Sequence, residues 1–144
     1  DFQCSLGMSQ LKKLKKFISK RRKIAHFYDS IFESKSEYFE LPPVKSKNIF
    51  HSYHLYPLQI NFKKLHVNKK RFFNNLLKRN IRLQVHYVPL YKQPFLKKFI
   101  NMKSYDVTEK YYEKAVSLPI FYNLNTKIQK EICQIILEEL NLNY

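Results

Sequence analysis

Glycine and cysteine are both scarce in this sequence. Its 144 residues include one glycine, Gly7. Phosphate-cradling loops and dinucleotide-binding turns need several glycines, because their backbone N–H groups approach the phosphate closely, so P-loop and Rossmann sites are excluded. The two cysteines, Cys4 and Cys133, lie far apart in apolar helical contexts. We expect both to be small buried side chains in a reducing, cytoplasmic compartment, without a zinc site or a disulfide framework.

Long apolar runs are also missing. A membrane-spanning helix needs roughly 18 consecutive apolar residues, and no stretch of the chain approaches this length, so no membrane anchor is predicted. The hydrophobic content of 44% is that of a globular domain with a real core. The start, DFQCSLGMSQ, has neither an initiator methionine nor a signal-peptide pattern, which suggests that the chain begins within a longer protein.

Acidic residues are absent from the middle of the chain. Residues 41–105 contain no Asp or Glu but fourteen Lys or Arg, and the whole chain has a formal charge of +16. Catalysis by paired carboxylates therefore cannot arise in that region. His51 and His54 have a spacing of three residues but lack a third ligand nearby, so no metal site is predicted. The charge leaves a basic nucleic-acid-binding module as the alternative function, although no recognised nucleic-acid-binding signature is present.

Hydrophobic periodicity predicts an α/β (α+β) fold with a small sheet covered by helices. The expected elements are a long helix over 6–32, a strand over 52–62, a helix over 69–78, a strand over 81–89, a helix over 106–115, a strand over 117–121 and a final helix beginning near 126. The expected N-caps are Asn68 and either Asn125 or Thr126, and Asp106 with Glu109 has the spacing of a capping box. We expect the remaining acids on helix surfaces, paired with lysines.

One loop stands out by its residue types. The segment VHYVPLYKQP, residues 85–94, combines an imidazole, two phenols, an amine and two prolines at the end of a predicted strand. Such loops on rigid elements often form binding surfaces. The same residues are also compatible with a structural turn, and spacing does not distinguish the two interpretations.

Four blocks of the sequence resemble, in order, the C-terminal part of the DegT/DnrJ/EryC1/StrS family of sugar aminotransferases. The blocks are DFQCSLGMSQLKKLKKFISKRRKIAHFYD, SYHLYPLQI, LLKRNIRLQVHYVPLYKQPF and EKYYEKAVSLPIF. The resemblance implies the small C-terminal domain of a fold-type I enzyme that uses pyridoxal phosphate to aminate keto groups on nucleotide-linked sugars. The VHYVPLYKQPF block looks closest to the branch that makes a pseudaminic acid precursor.

The resemblance also assigns roles to residues. It implies that His86 and Tyr87, with the adjoining Val88, Pro89 and Tyr91, lie at the mouth of the active site near the nucleotide sugar. Two further residues of a family block, His54 and Tyr56, are expected near the domain interface. The family's Schiff-base lysine and phosphate-binding turn lie upstream of the matched part, so no catalytic residue is assigned and the chain is expected to be inactive and to bind no cofactor covalently.

The resemblance implies an organisation and a set of partners as well. Residues 1–40 would form a long interdomain helix and its exit, and residues 41–144 the small domain. The complete enzyme would be a homodimer that uses a nucleotide sugar and an amino donor, with no specific nucleic acid as partner.

Overall fold

The computed structural model describes residues 1–43, 48–99 and 105–144. The chain begins with two helices, α1 (Phe2–Leu11) and α2 (Leu14–Phe32). The predicted long helix is therefore confirmed over α2, but a break separates it from α1. The backbone N–H of Lys13 donates to the carbonyl of Gln10 at 2.9 Å, three residues back, and this tightened turn interrupts the α-helical pattern.

A small antiparallel sheet follows, with strand order β1 (Phe39–Glu40), β2 (Tyr56–Ile60) and β3 (Ala115–Leu118). The predicted strand over 52–62 is confirmed in β2, where Tyr56, Leu58 and Ile60 all face the core. Strand β1 pairs only with Gln59 and Ile60, so it does not reach Pro57. Pro57 therefore has a strand neighbour on one side only, which suits a residue without an N–H donor.

Three further helices cover the sheet: α3 (Lys69–Lys78), α4 (Asp106–Lys114) and α5 (Thr126–Glu139). Both predicted N-caps are confirmed, since the side chain of Asn68 accepts from the N–H of Arg71 and that of Asn125 from the N–H of Ile128. The predicted capping box at α4 is wrong. No side chain caps the start of α4, and Glu109 accepts hydrogen bonds from Tyr91 and Lys92 instead.

The predicted strand over 81–89 is also wrong. This segment forms an isolated antiparallel bridge between Gln84 and Ser117, and the chain bends at His86 before a short 3₁₀ turn at Leu90–Lys92. On the side of the bridge away from His86, the same antiparallel register would place Arg82 opposite Pro119, which has no N–H to donate. The pairing therefore stops at one residue pair.

The core lies between the sheet and helices α2, α3 and α5. Its largest fully buried side chains are Tyr28, Tyr56, Phe32, Phe72, Ile24, Leu58, Ile60, Leu76, Leu124, Ile136, Leu137 and Leu140. Two hydrogen bonds link distant parts of it: Tyr28 donates to the carbonyl of Pro119 at 2.8 Å, and Gln129 to the carbonyl of Ile24 at 2.7 Å. Between them these bonds tie α2 both to the segment after β3 and to α5.

The two cysteines differ in environment. Cys133 is buried as expected, and burial raises the pKa of its thiol to about 12. The expectation that Cys4 is buried is wrong, because α1 buries no residue against the rest of the chain.

In the described part of the chain, no helix has the length and apolar character needed to cross a membrane.

Acidic residues on helix surfaces pair with basic residues, as expected. Nζ of Lys63 lies 2.8 Å from Oε2 of Glu113, and Nη2 of Arg79 lies 2.8 Å from Oε2 of Glu138. All four side chains are well exposed to solvent, so these pairs contribute little to stability.

Candidate functional site

The candidate site is built on residues 84–92, here called the rim segment. Its first anchor is the two-way backbone bridge between Gln84 and Ser117. A side-chain contact follows at once, because Nδ1 of His86 lies 2.7 Å from Oγ of Ser117. Ser117 is buried on β3, whereas His86 is half-buried. The imidazole is therefore held through Nδ1, and no residue that the structure describes is hydrogen-bonded to its Nε2.

The next three residues of the rim segment differ in exposure. Tyr87 is 77% exposed, and its ring lies edge-on to that of His86 with the centroids 4.9 Å apart. The peptide bond between these two residues is cis. Val88 is also exposed, whereas Pro89 is buried. The rim segment thus offers an imidazole, a free phenol and an apolar side chain to solvent.

The far end of the rim segment is fixed by Glu109 on α4. One oxygen of its carboxylate accepts from the hydroxyl of Tyr91 at 2.7 Å, and the other accepts from Nζ of Lys92 at 2.6 Å. These hydrogen bonds, from Lys92 first and Tyr91 second, lower the pKa of Glu109. Burial and the bond to Glu109 raise the pKa of Tyr91 to about 12. Tyr91 also stacks on Tyr105, with ring centroids 4.9 Å apart. Its phenol is therefore engaged within the chain.

A cavity of about 610 Å³ opens beside the rim segment. It is lined by Ile60, Asn61, Phe62, Lys63, Lys69, Val85, Lys92, Glu109, Lys110, Tyr112, Glu113 and Lys114. Two ammonium groups lie near the ring of Tyr112, with Nζ of Lys92 at 4.7 Å and Nζ of Lys69 at 5.3 Å from its centroid. The lining therefore combines apolar and aromatic side chains with five lysines and two glutamates.

Lys69 is the one described lysine whose pKa is lowered. Burial brings this pKa to about 8, and the nearby Glu113 partly offsets the effect. Its Nζ donates to the carbonyls of Tyr112 at 2.6 Å and Ala115 at 2.9 Å. These two carbonyls belong to the end of α4 and the start of β3. Lys69 thus caps the end of α4 from the neighbouring helix.

The structure places the other two predicted site residues apart from the rim segment. Tyr56 is fully buried, and its hydroxyl donates to Asp29 on α2 at 2.7 Å. The side chain of His54 is exposed, while its carbonyl accepts from Arg21 at 2.9 Å.

His51, considered above as a metal ligand, accepts from the backbone N–H of Tyr53. Within residues 1–43, 48–99 and 105–144, no three His, Cys, Asp or Glu side chains come together as a metal site.

The sequence interpretation missed Ser117. It also missed that Glu109 accepts hydrogen bonds from Tyr91 and Lys92. A signal for Ser117 was present, because it is the polar member of the apolar run AVSL and a buried hydroxyl needs a hydrogen-bond partner. The partner itself is 31 residues away and carries no local signature.

Fold and sequence together define a class of protein. The model of the DegT/DnrJ/EryC1/StrS aminotransferase family matches residues 1–137, so this chain belongs to that family. The resemblance found in the four sequence blocks is therefore confirmed.

Three relatives show how far the similarity extends. The chain is 40% identical over 84% of its length to an uncharacterized protein of Methanocaldococcus jannaschii, and covers 31% of that protein. It is 37% identical over 90% of its length to a UDP-4-amino-4,6-dideoxy-N-acetyl-beta-L-altrosamine transaminase of Campylobacter jejuni, of which it covers 34%.

The third relative is a solved structure. Helicobacter pylori PseC, described as an aminotransferase involved in the biosynthesis of pseudoaminic acid, superposes with a TM-score of 0.85 at 35% identity over 96% of this chain and 37% of PseC. The chain thus spans about a third of the length of these relatives.

Proposed function

We propose that the chain forms the small C-terminal domain of a pyridoxal-phosphate-dependent aminotransferase that aminates a keto group on a nucleotide-linked sugar. The observation that carries the proposal is the superposition on PseC together with 35% identity over nearly the whole chain. The Campylobacter jejuni relative is named for a transamination of a UDP-linked amino sugar. The product would serve the synthesis of a bacterial surface glycan, in particular a pseudaminic acid precursor.

The rim segment is the part of the chain that we assign to the sugar pocket. The open Nε2 of His86 and the exposed hydroxyl of Tyr87 hydrogen-bond sugar hydroxyls or phosphate oxygens. Val88 supplies an exposed apolar contact, and the buried Pro89 sets the course of the backbone. Tyr91 holds the segment to α4 through Glu109.

The cofactor would supply the electron sink for amino transfer. The described residues of this chain do not fit its covalent attachment. Lys69 has the lowered pKa that such an amine needs, but it already donates to two backbone carbonyls. As the family resemblance implies, we assign the lysine that holds the cofactor to the remaining two thirds of the enzyme, and residues 1–144 to the substrate side.

We also divide the chain into two parts, and the exposure of its first helix supports this division. Residues 1–40 form an interdomain helical segment and its exit, and residues 41–144 the small domain. The helix α1 buries no side chain within the chain, which leaves it free to pack on the rest of the enzyme. His54 and Tyr56 are assigned to the neighbourhood of that interface, and the complete enzyme to a homodimer. The two free cysteines support a cytoplasmic location.

A chimeric enzyme tests this function. The region of Helicobacter pylori PseC that matches the chain is replaced by residues 1–144, and conversion of the bound cofactor to its amino form by a UDP-linked amino sugar is followed by absorbance. We expect turnover that depends on the nucleotide sugar. Matched controls are PseC truncated before the replaced region and the chimera with the His86→Asn substitution. A chimera that folds and binds the cofactor but does not react with any nucleotide sugar would contradict the proposal.

A further inference from the structure

Ser117 differs from the other polar residues of the sheet in its burial and in its partners. It is 7% exposed at the third position of β3, where its register partner on one side is Pro57 and on the other side Gln84. Both of its backbone groups are used in the bridge to Gln84: its N–H donates to Gln84 at 2.8 Å, and its carbonyl accepts from Gln84 at 3.4 Å. The hydroxyl is therefore the one group of Ser117 that is free to bond to a side chain.

That hydroxyl bonds to His86. The distance of 2.7 Å from Oγ to Nδ1 is that of a good hydrogen bond, and no other hydrogen bond to the imidazole is found among the described residues. The bond can run in either direction, because a hydroxyl both donates and accepts. In both cases it holds Nδ1 against β3 and thereby restricts the orientation of the ring and the direction of Nε2.

We infer that Ser117 is a positioning residue for the nucleotide-sugar pocket, acting through His86. It anchors the rim segment twice, through the backbone bridge at Gln84 and through the imidazole two residues further on. The hydroxyl is carried by a strand that is paired with β2 along its whole length. The orientation of Nε2 toward a ligand is thereby set before the ligand arrives, which reduces the entropy lost on binding. This inference rests on the proposed function for its ligand, but not for its geometry.

Substitution of Ser117 separates orientation from folding. Ser117→Ala removes the hydroxyl and almost no volume, Ser117→Thr retains the hydroxyl, and Ser52→Ala changes an exposed serine elsewhere as the matched control. The first readout is the ¹⁵N spectrum of the histidine rings in the dilute 144-residue chain, with His86 assigned by its loss in His86→Asn. We expect the ring ¹⁵N shifts of His86 to change in Ser117→Ala, because the hydrogen bond to Nδ1 is lost. The shifts should return toward the wild-type values in Ser117→Thr and stay unchanged in Ser52→Ala.

The second readout is the kinetics of the chimera described above. We expect Ser117→Ala to raise KM for the nucleotide sugar about fivefold while kcat and cofactor loading stay within about twofold, since a positioned binding contact is weakened. Ser117→Thr restores KM, and Ser52→Ala leaves it unchanged.

The two readouts distinguish failure of the inference from failure of the proposed function. An unchanged His86 spectrum in Ser117→Ala would overturn the positioning role, whether or not the chimera is active. A changed spectrum with unchanged KM would overturn it as well. An inactive wild-type chimera combined with the expected change in the His86 spectrum would refute the proposed function and leave the orientation of His86 by Ser117 standing.

Discussion

At the scale of single residues, His86 and Tyr87 are the two side chains from which we expect the largest effect on substrate use. Replacing His86 by Asn or Tyr87 by Phe in the chimera should lower kcat/KM. The loss should correspond to about 1 to 3 kcal/mol of transition-state binding free energy, the scale of a lost polar contact. Cofactor loading should stay intact, because we assign both residues to the substrate side of the site and not to cofactor attachment. Kinetics over a range of nucleotide-sugar concentrations, with the cofactor content read by absorbance, measure both quantities.

Two results would contradict this role. Unchanged catalytic efficiency in both variants would show that the pair does not contact the substrate. Loss of cofactor binding in either variant would show that the pair supports the cofactor rather than the nucleotide sugar. Val107→Ala is a suitable control, because Val107 is 84% exposed on α4.

Glu109 gives a prediction about pH. Its pKa lies below the ordinary value of 4.5, because Lys92 and Tyr91 donate hydrogen bonds to the ionised carboxylate. A lowered pKa in the folded state adds stability that is present above the ordinary value and is lost as the pH falls through the folded-state value. Glu109→Gln should therefore unfold at a lower temperature than the wild type at neutral pH, and the difference should shrink in acid.

Thermal unfolding followed by circular dichroism at a series of pH values checks this expectation. Glu131→Gln is the matched control, because Glu131 is an exposed acid of α5. A difference in Tm that stays constant from neutral pH to acid would mean that the ionised carboxylate contributes nothing specific.

The residues of the site were predictable to different degrees. His86, Tyr87 and Tyr91 could be selected because an imidazole and two phenols stand in one short segment, and the family resemblance gave them a role. Their partners could not be predicted, because Ser117 and Glu109 are 31 and 18 residues away from the side chains they bind. Residue types indicate a local chemistry, whereas long-range hydrogen bonds depend on the folded chain.

At the scale of elements, the N-cap of α5 offers a direct test. The side chain of Asn125 accepts a hydrogen bond of 2.8 Å from the N–H of Ile128. Asn125→Ala should lower the free energy of unfolding by about 1 kcal/mol, because one N–H at the helix start loses its partner. Urea unfolding measures this change, with Asn125→Asp expected to retain most of the stability.

The control for this measurement is Asn143→Ala, at an exposed position after α5. If both alanine variants lost the same stability, the effect would not arise from capping.

Elements with local signals were predicted well, and elements that depend on partners were not. The helices α3 and α5 followed from their asparagine caps and apolar spacing, and β2 from its alternation. The two-residue strand β1 has no periodicity of its own and exists because it pairs with Gln59 and Ile60. The segment over 81–89 shows the reverse case. Its alternation is that of a strand and both Ile81 and Leu83 are buried, but Pro119 limits the pairing to one bridge.

At the scale of the whole molecule, the chain by itself should not hold pyridoxal phosphate covalently. Lys69 has the most favourable pKa among the described lysines, but its Nζ is occupied by two carbonyls and its displacement would leave both unsatisfied. After incubation with the cofactor and reduction with borohydride, peptide mass spectrometry should find only sparse labelling spread over exposed lysines. Stoichiometric label on a single lysine, with an absorbance band lost on reduction, would show the opposite.

The exposed apolar surface of the first helices leads to the last prediction. Five large apolar side chains there are open to solvent: Phe2 at 86%, Leu6 at 56%, Met8 at 64%, Leu11 at 66% and Leu14 at 46%. Phe17 and Ile18, further along α2, are only partly buried, although Phe17 packs edge-on against Tyr122 with centroids 5.0 Å apart. Large apolar side chains that are exposed along neighbouring helices are typical of an interaction surface. It is the surface that we assign to contact with the rest of the enzyme.

Without that partner, the 144-residue chain should self-associate through α1 in spite of its charge of +16. Sedimentation velocity over a range of concentrations should show a shift to larger species, and a dye for apolar surface should bind. The triple variant Phe2→Ser, Leu6→Ser, Leu11→Ser should shift the chain toward monomer, because it removes apolar area without touching the core. Leu77→Ser removes a comparably exposed leucine from α3 and should leave association unchanged. A wild-type chain that stays monomeric at high concentration and binds no dye would show that α1 is not an uncovered interface.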